Sequence, residues 1–421
     1  MKFSLKLNLA LFIVTIYLVS CTKQVDLMNS EASQIANATK DANLQTARMT
    51  QDGSLADSYI IVYKDDVTNI DDEVNQASKK YGLNIKFKYK NAIKGFSAKL
   101  SAGALNGLMN NPNIAYIEQD QIMSANQIVS SPTTQTKVLP WGLDRIDQVS
   151  LPLTGGFTYT ADGTGVDAYI FDTGILLEHA EFSGRTLRGF SSILNANWSD
   201  QNGHGTHVAG TVGGINYGVA KKINLIAVRV LDAAGSGSSS GVIAGIDWAI
   251  ADHTFTKKPA VGNMSLGGGA STAIDAAVNK AISDGIVMCV AAGNNGRSAS
   301  NYSPARVTNA ITVGATGFSA RLSTYDAFAS YSNSGSVVDI LAPGSGITSA
   351  WIGSATAVKT ISGTSMATPH VAGVVGLYLS INLLQIPSPA AVQSAIKSAA
   401  TLNKISGVPR GTVNSLLNTK Y

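Results

Sequence analysis

Ser365 stands in SGTSMATPHVAG, residues 362–373, among small side chains and just ahead of an apolar run that reads as a buried helix. A hydroxyl at a helix start lies near unpaired backbone N–H groups, which stabilise negative charge on a carbonyl oxygen under attack. Gly363, Thr364 and Ala367 leave room for a substrate, and Pro369 is expected in the first helical turn, where a missing N–H costs little. Alone, the serine reads equally well as an N-cap. His204 lies in NGHGTHVAG, where glycines permit close backbone approach and the apolar continuation marks a helix start. His207 at helical spacing raises a metal pair, but no third ligand or glutamate accompanies it. Asp172 closes the apolar strand DAYIFD, and the carboxyl ends of such strands are where open α/β sheets build sites. A lone aspartate there is as readily a turn former. Taken jointly, carboxylate, imidazole and hydroxyl in this chain order are the parts of a nucleophilic relay.

The 421 residues suffice for one large domain and a smaller one, with 45% hydrophobic and 14% charged residues in a globular balance. The 41 glycines favour tight turns and loops that carry chemistry. A net charge of +4 without basic clusters excludes a nucleic-acid surface. Cys21 and Cys289 share no context, which argues against a disulfide framework. The start MKFSLKLNLALFIVTIYLVSC combines a basic n-region with an apolar stretch too short for the roughly 20 residues of a spanning helix, and reads as an export signal. Its LVSC resembles the lipobox of bacterial lipoproteins, which implies lipidation at Cys21.

Residues 1–20 are thus expected to be a signal peptide and 21–57, rich in Asn, Gln, Ala and Thr, a flexible tether. Residues 58–124 read as βαββαβ: a strand at SYIIVYK, a helix ending at Gly82, strands NIKFKYK and GFSAKL, a short helix capped by Ser101, and a last strand NIAYIEQD. That order is a small ferredoxin-like α+β unit. After a linker at 125–137, residues 138–421 carry the apolar runs GVDAYIFD, NLIAVRVL, AVGNMSL, GIVMCVAAG and AITVGA, alternating with helical stretches. Runs apolar throughout suit a mostly parallel sheet with helices on both faces, so the large domain is α/β. Its final helix should open at Ser388 and Pro389.

DTG, GHGTHVAG and SGTSMATPHVAG together resemble the signature blocks of the subtilisin family of serine peptidases, most closely its proteinase K branch. PWGLDRID, RVLDAAGSGS, AAGNN and NYSPA stand at the expected places. Residues 58–124 resemble the family's inhibitory propeptide, including the closing YIEQD.

The resemblance implies a self-processing serine endopeptidase working through an acyl-enzyme, with Ser365 as nucleophile, His204 as general base and acid, and Asp172 orienting the imidazole. It also implies Asn294 as oxyanion donor. Gly235, Ser236 and Gly237 match one strand that binds extended peptides, and Ser265, Leu266 and Gly267 match the other. Ala291, Ala292 and Gly293 should line the pocket for the residue before the cut. No acidic cluster lies in these segments and Arg297 is near, so broad cleavage after apolar or aromatic residues is expected. No cofactor is needed for the chemistry, while a structural Ca²⁺ is implied at Thr308, Ala310 and Asp339, oxygen ligands of the kind calcium takes. Ser303–Pro304 is expected to be cis and Cys289 a buried, inert thiol. The implied partners are protein and peptide substrates and the chain's own propeptide. A membrane enters only through the precursor's lipid, self-cleavage near residues 124–127 releasing the catalytic domain outside the cell. The rival reading, a binding protein on a degenerate peptidase scaffold, would show a lost triad or oxyanion residue, and none is missing.

Overall fold

The computed structural model describes residues 54–125, 140–186, 188–319 and 324–420. The expected signal peptide, Cys21, all but the last residues of the tether, and the linker from 126 onward lie outside the described residues.

The smaller unit follows the expected order: β1 (Ser54–Tyr63), α1 (Ile70–Tyr81), β2 (Ile85–Tyr89), β3 (Gly95–Lys99), α2 (Ala102–Met109) and β4 (Ile114–Ala125). Helix α1 starts where Asn69 accepts a hydrogen bond from the Asp72 N–H, carries Asp71, Asp72 and Glu73 in its first turn and Lys79 and Lys80 in its last, and stops at Gly82. These charges oppose the helix dipole at both ends, and Gly82, at φ 65°, adopts the left-handed cap without a Cβ penalty. Ser101 caps α2 through the Ala104 N–H at 3.2 Å. The strands pair antiparallel in the order β4-β1-β3-β2, over a core of Ile61, Tyr63, Phe96 and Leu108. Two boundaries differ from expectation. Ser54 already pairs with Gln121, and β4 runs on to Ala125 because its far end finds strand partners in the larger unit.

The larger unit adds α3 (Trp141–Ile146), β5 (Asp167–Asp172), β6 (Gly189–Ser191), α4 (His204–Gly213), β7 (Asn224–Arg229), β8 (Ser236–Ser238), α5 (Ser239–Thr256), β9 (Ala260–Met264) and β10 (Leu266–Gly269). It continues through α6 (Thr272–Ser283), β11 (Ile286–Ala291), β12 (Tyr302–Ser303), β13 (Ile311–Ser319), β14 (Thr324–Phe328) and β15 (Ile340–Pro343). Next come the hairpin β16 (Ile347–Ala350) and β17 (Val358–Ile361), then α7 (Thr364–Ser380) and α8 (Pro389–Ala399). Seven strands run parallel in the order β15-β13-β11-β9-β5-β7-β6, with β14 antiparallel beside β13.

Burial on both faces explains why these strands are apolar throughout. Along β5, Ala168 and Ile170 join the core beneath α4, α7 and α8, whereas Tyr169 and Phe171 join the core beneath α5 and α6. The sheet thus presents the carboxyl ends of β5, β7, β9 and β11 at one edge, and α4 and α7 begin just beyond it. The Ser303–Pro304 bond is cis, as expected, and so is Leu151–Pro152. Ser388 caps α8 from its Pro389 start. Pro369 lies deeper than expected: Thr364 opens α7 and the proline stands five residues on, inside the helix.

Candidate active site

Asp172 is the last residue of β5 and His204 the first of α4, both buried, with the imidazole Nδ1 at 2.8 and 2.9 Å from the two Asp172 carboxylate oxygens. A carboxylate accepts only, so Nδ1 carries the proton and Nε2 is left as the basic nitrogen. His204 Nε2 is buried and makes no hydrogen bond. The pair is held by a residue that the sequence reading passed over. Asp200, buried four residues before His204, accepts from the Thr173 hydroxyl at 2.8 Å, from Gly203 N–H at 2.9 Å and from Thr206 N–H at 2.9 Å. Thr173 Oγ1 in turn accepts from Gly205 N–H at 2.9 Å. The residues flanking Asp172 and His204 are therefore tied through one carboxylate, whose only sequence signal is its place in WSDQNGHGTH.

Ser365 is the second residue of α7 and fully buried. Its Oγ donates to the Ser265 carbonyl at 2.9 Å, and Ser265 Oγ donates back to the Ser365 carbonyl at 2.9 Å. Helices α4 and α7 pack against one another in the core beneath β5.

Asn294 follows the turn at Gly293, whose φ of +100° belongs to glycine and where an added Cβ would lie 2.4 Å from Asn333 Nδ2. Asn333 fastens this turn: its Nδ2 donates to the Ala292 carbonyl at 2.8 Å and its Oδ1 accepts from Asn295 and Arg297 N–H at 3.0 Å each. Asn294 Oδ1 accepts from both the Thr364 N–H and the Thr364 hydroxyl, at 2.9 Å each. Two donors on one atom identify it as the oxygen, so the amide N–H₂ projects from the other side, beside the start of α7. Thr364, expected only to leave space for substrate, is instead the buried clamp on this asparagine.

The expected substrate strands are β8 and β10 with their flanking residues Gly235 and Ser265, and β4 lies between them, antiparallel to both. Ser124 faces Ser236 on one side and Gly267 on the other, while Met123 faces Gly237 and Ala125 faces Leu266. The Ala125 N–H also donates to the Gly235 carbonyl at 2.9 Å. Next to this strand is a cavity of about 260 Å³ walled by Gly267, Gly268, Ala291, Ala292 and Gly293, with Asn295 and Tyr302 closing its far side.

The model of the Subtilase family matches residues 163–415, a span holding all four of these side chains. The chain belongs to the subtilase family. A model described as Peptidase inhibitor I9 matches residues 27–126. An Extracellular serine proteinase of Thermus sp. (strain Rt41A) is 52% identical over 341 residues, covering 81% of this chain and 79% of that protein. Alkaline serine exoprotease A of Vibrio alginolyticus is 46% identical over 403 residues, covering 93% of this chain and 72% of that one. Among solved structures, that of a cold adapted subtilisin-like serine proteinase matches with a TM-score of 0.62 at 50% identity, covering 67% of this chain and 98% of the other.

This subtilase is accordingly a serine endopeptidase with a subtilisin-like α/β catalytic domain and an I9 inhibitor domain ahead of it. The inhibitor domain grips the starts of two catalytic helices with carboxylates. Glu118 accepts from the Ser271 hydroxyl, from Thr272 N–H at 2.9 Å and from Ala273 N–H at 3.2 Å, at the start of α6. Asp120 accepts from Ser240 N–H at 2.9 Å and Ser240 Oγ at 2.6 Å, at the start of α5. Helix N-termini favour negative charge, so this pairing suits both partners. Burial nevertheless pushes the Asp120 carboxyl above its usual range. In the opposite direction, Asp247 of α5 accepts from Lys90, Asn91 and Ala92 N–H at 2.9, 2.6 and 2.8 Å.

Two of the three positions expected to hold calcium carry protein donors instead. Asp339 Oδ1 accepts from Lys397 Nζ at 2.7 Å and its Oδ2 from Thr312 N–H at 3.0 Å, while the Ala310 carbonyl accepts from Gln393 Nε2 at 3.0 Å. Thr308 lies exposed in the preceding turn. With a cation and a backbone N–H on the Asp339 carboxylate and an amide on the Ala310 carbonyl, these two positions do not suit a calcium ion. His207 is no metal ligand either: its Nε2 donates to the Ile347 and Lys359 carbonyls at 3.0 and 3.2 Å, and burial pushes its pKa down to about 3. Cys289 is a buried free thiol whose pKa burial pushes well up, in keeping with an inert role.

Proposed function

We propose that this subtilase cleaves peptide bonds through an acyl-enzyme on Ser365. The Ser365 oxygen attacks the scissile carbonyl as His204 Nε2 takes the hydroxyl proton, and the imidazolium formed is stabilised by Asp172. His204 then delivers that proton to the leaving amine, and water, activated by the same nitrogen, releases the acyl group. The Asn294 amide and the Ser365 backbone N–H meet the oxyanion. The observation that carries this reading is the buried Asp172–His204 hydrogen bond, together with the bonds by which Thr364, the neighbour of Ser365, orients Asn294.

Extended substrates pair with β8 and β10 as β4 does, reading main chain before side chains. A cavity of about 260 Å³ lined by glycines and alanines, with no carboxylate on its wall, supports preference for apolar or aromatic residues before the cut. Equal or faster cleavage after Arg and Lys in a peptide panel would refute that preference.

The same strand supports processing in cis. Leu266 pairs with Ala125 at the end of β4, and the carbonyl of its neighbour Ser265 accepts from the Ser365 hydroxyl. We propose that the first cut falls just beyond the end of β4, at the Asn126–Gln127 bond. Mass spectrometry of the secreted product should find a chain beginning at Gln127, and full-length Ser365→Ala should stay intact. An intact, inactive wild type would defeat the catalytic reading, and a start elsewhere would defeat only the position of the cut. Export is supported by the apolar start of the chain and by the extracellular designation of the Thermus relative. Lipid at Cys21 would tether the precursor until this cut frees the enzyme, and a membrane-bound precursor that loses its anchorage on Cys21→Ala is the expected result.

A further inference from the structure

Helix α8 is seated by Val392 and Ile396, both fully buried against the parallel sheet. Gln393 and Lys397, each one residue further on and one helical turn apart, are thereby aimed at the loop before β13 and the start of β15. Their two donors meet the Ala310 carbonyl and the Asp339 carboxylate, two of the positions at which the resemblance implies calcium. We propose that α8 supplies a resident cation and a resident amide in place of a divalent metal, so that this corner of the enzyme holds its shape without calcium.

The physical difference lies in mass action. A bound metal stabilises in proportion to its occupancy, which falls when free metal falls. An ammonium carried on a helix that is itself part of the core has no such dependence. The corner also bears on function. Thr312 donates its N–H to Asp339 and its hydroxyl to the Ala305 carbonyl at 2.8 Å, and Ala305 lines the cavity beside β4. Lys397 therefore braces a wall of the substrate pocket through two intervening hydrogen bonds.

The test uses the full-length chain with Ser365→Ala, which prevents self-digestion, and compares thermal midpoints in millimolar calcium and in chelator. Any calcium gain measured in this parent should persist unchanged in Asp339→Asn, because calcium does not act at Asp339. Lys397→Met should lower the midpoint in chelator by about 2–4 °C, the size expected for one part-exposed ion pair in a domain this large. Loss of a calcium gain on Asp339→Asn overturns the proposal. So does a Lys397→Met midpoint equal to the parent's in chelator, and that arm decides alone if Asp339→Asn fails to fold.

Discussion

Ser265 and Ser365 are joined by two reciprocal hydrogen bonds, each hydroxyl donating to the other's carbonyl at 2.9 Å. Pro369 explains why the Ser365 carbonyl is available. In an uninterrupted helix the N–H four residues on would occupy it, and proline has none. Helix α7 thus surrenders one internal bond, and Ser265, just ahead of β10, makes it good.

Ser265→Ala leaves a buried carbonyl without its donor, a loss of about 1–3 kcal/mol. Lower thermal stability and a reduced kcat are expected. Ser265→Ala combined with Pro369→Ala restores an N–H to the same carbonyl, so the double variant should recover stability relative to Ser265→Ala. Additive losses in calorimetry and kinetics would show that the proline plays no such part.

Thr364→Val removes the hydroxyl that fixes Asn294 while keeping the backbone N–H. A fall in kcat of about tenfold with little change in KM is expected, since the amide is only loosened in the transition state. Asn294→Leu should be more severe, about 10²–10³ in kcat, a magnitude known from subtilisin, which belongs to this family. Progress curves on a small amide substrate separate the two.

Glu118 and Asp120 hold the inhibitor domain by charge-assisted hydrogen bonds to helix starts. Each such bond contributes about 1.5–3 kcal/mol, so Glu118→Gln should shorten the lag between processing and full activity. A lag identical to wild type, followed with a chromogenic peptide after dilution of freshly processed enzyme, would contradict this role.

His370 is buried and donates Nδ1–H to the Met366 carbonyl, and burial pushes its pKa down to about 4. An unfolded histidine titrates near 6.5, so between about pH 6.5 and 4 the unfolded chain holds a proton that the folded one refuses. Stability then falls with falling pH by about 1.4 kcal/mol per unit for this residue, and is unaffected by it above about pH 7. In the Ser365→Ala background, His370→Leu should flatten the urea-midpoint profile between pH 6 and 5 relative to its parent. An unchanged slope would show that His370 is not the source.

Asp172, His204 and Ser365 could be singled out because each ends an apolar strand or stands at a helix start among small residues, whereas Asn294 was expected only from the family resemblance. Asp200, Thr364 and Asn333 were not, since nothing local distinguishes a loop polar residue that turns inward from one that faces water. The parallel sheet was legible from runs apolar throughout. The true length of β4 was not, because its last residues are ordered by strands more than a hundred positions away. Gln393 and Lys397 look like the solvated face of an amphipathic helix, and only their contacts 83 and 58 residues away reveal otherwise.

With β4 in place, one continuous sheet runs from the inhibitor domain through both walls of the cleft. Bare strand edges invite any extended neighbour, including a sister molecule's loose end. A newly folded chain never shows those edges, because its own backbone fills the slot. The groove between β8 and β10 is thus shielded during the crowded interval when sister chains are still folding.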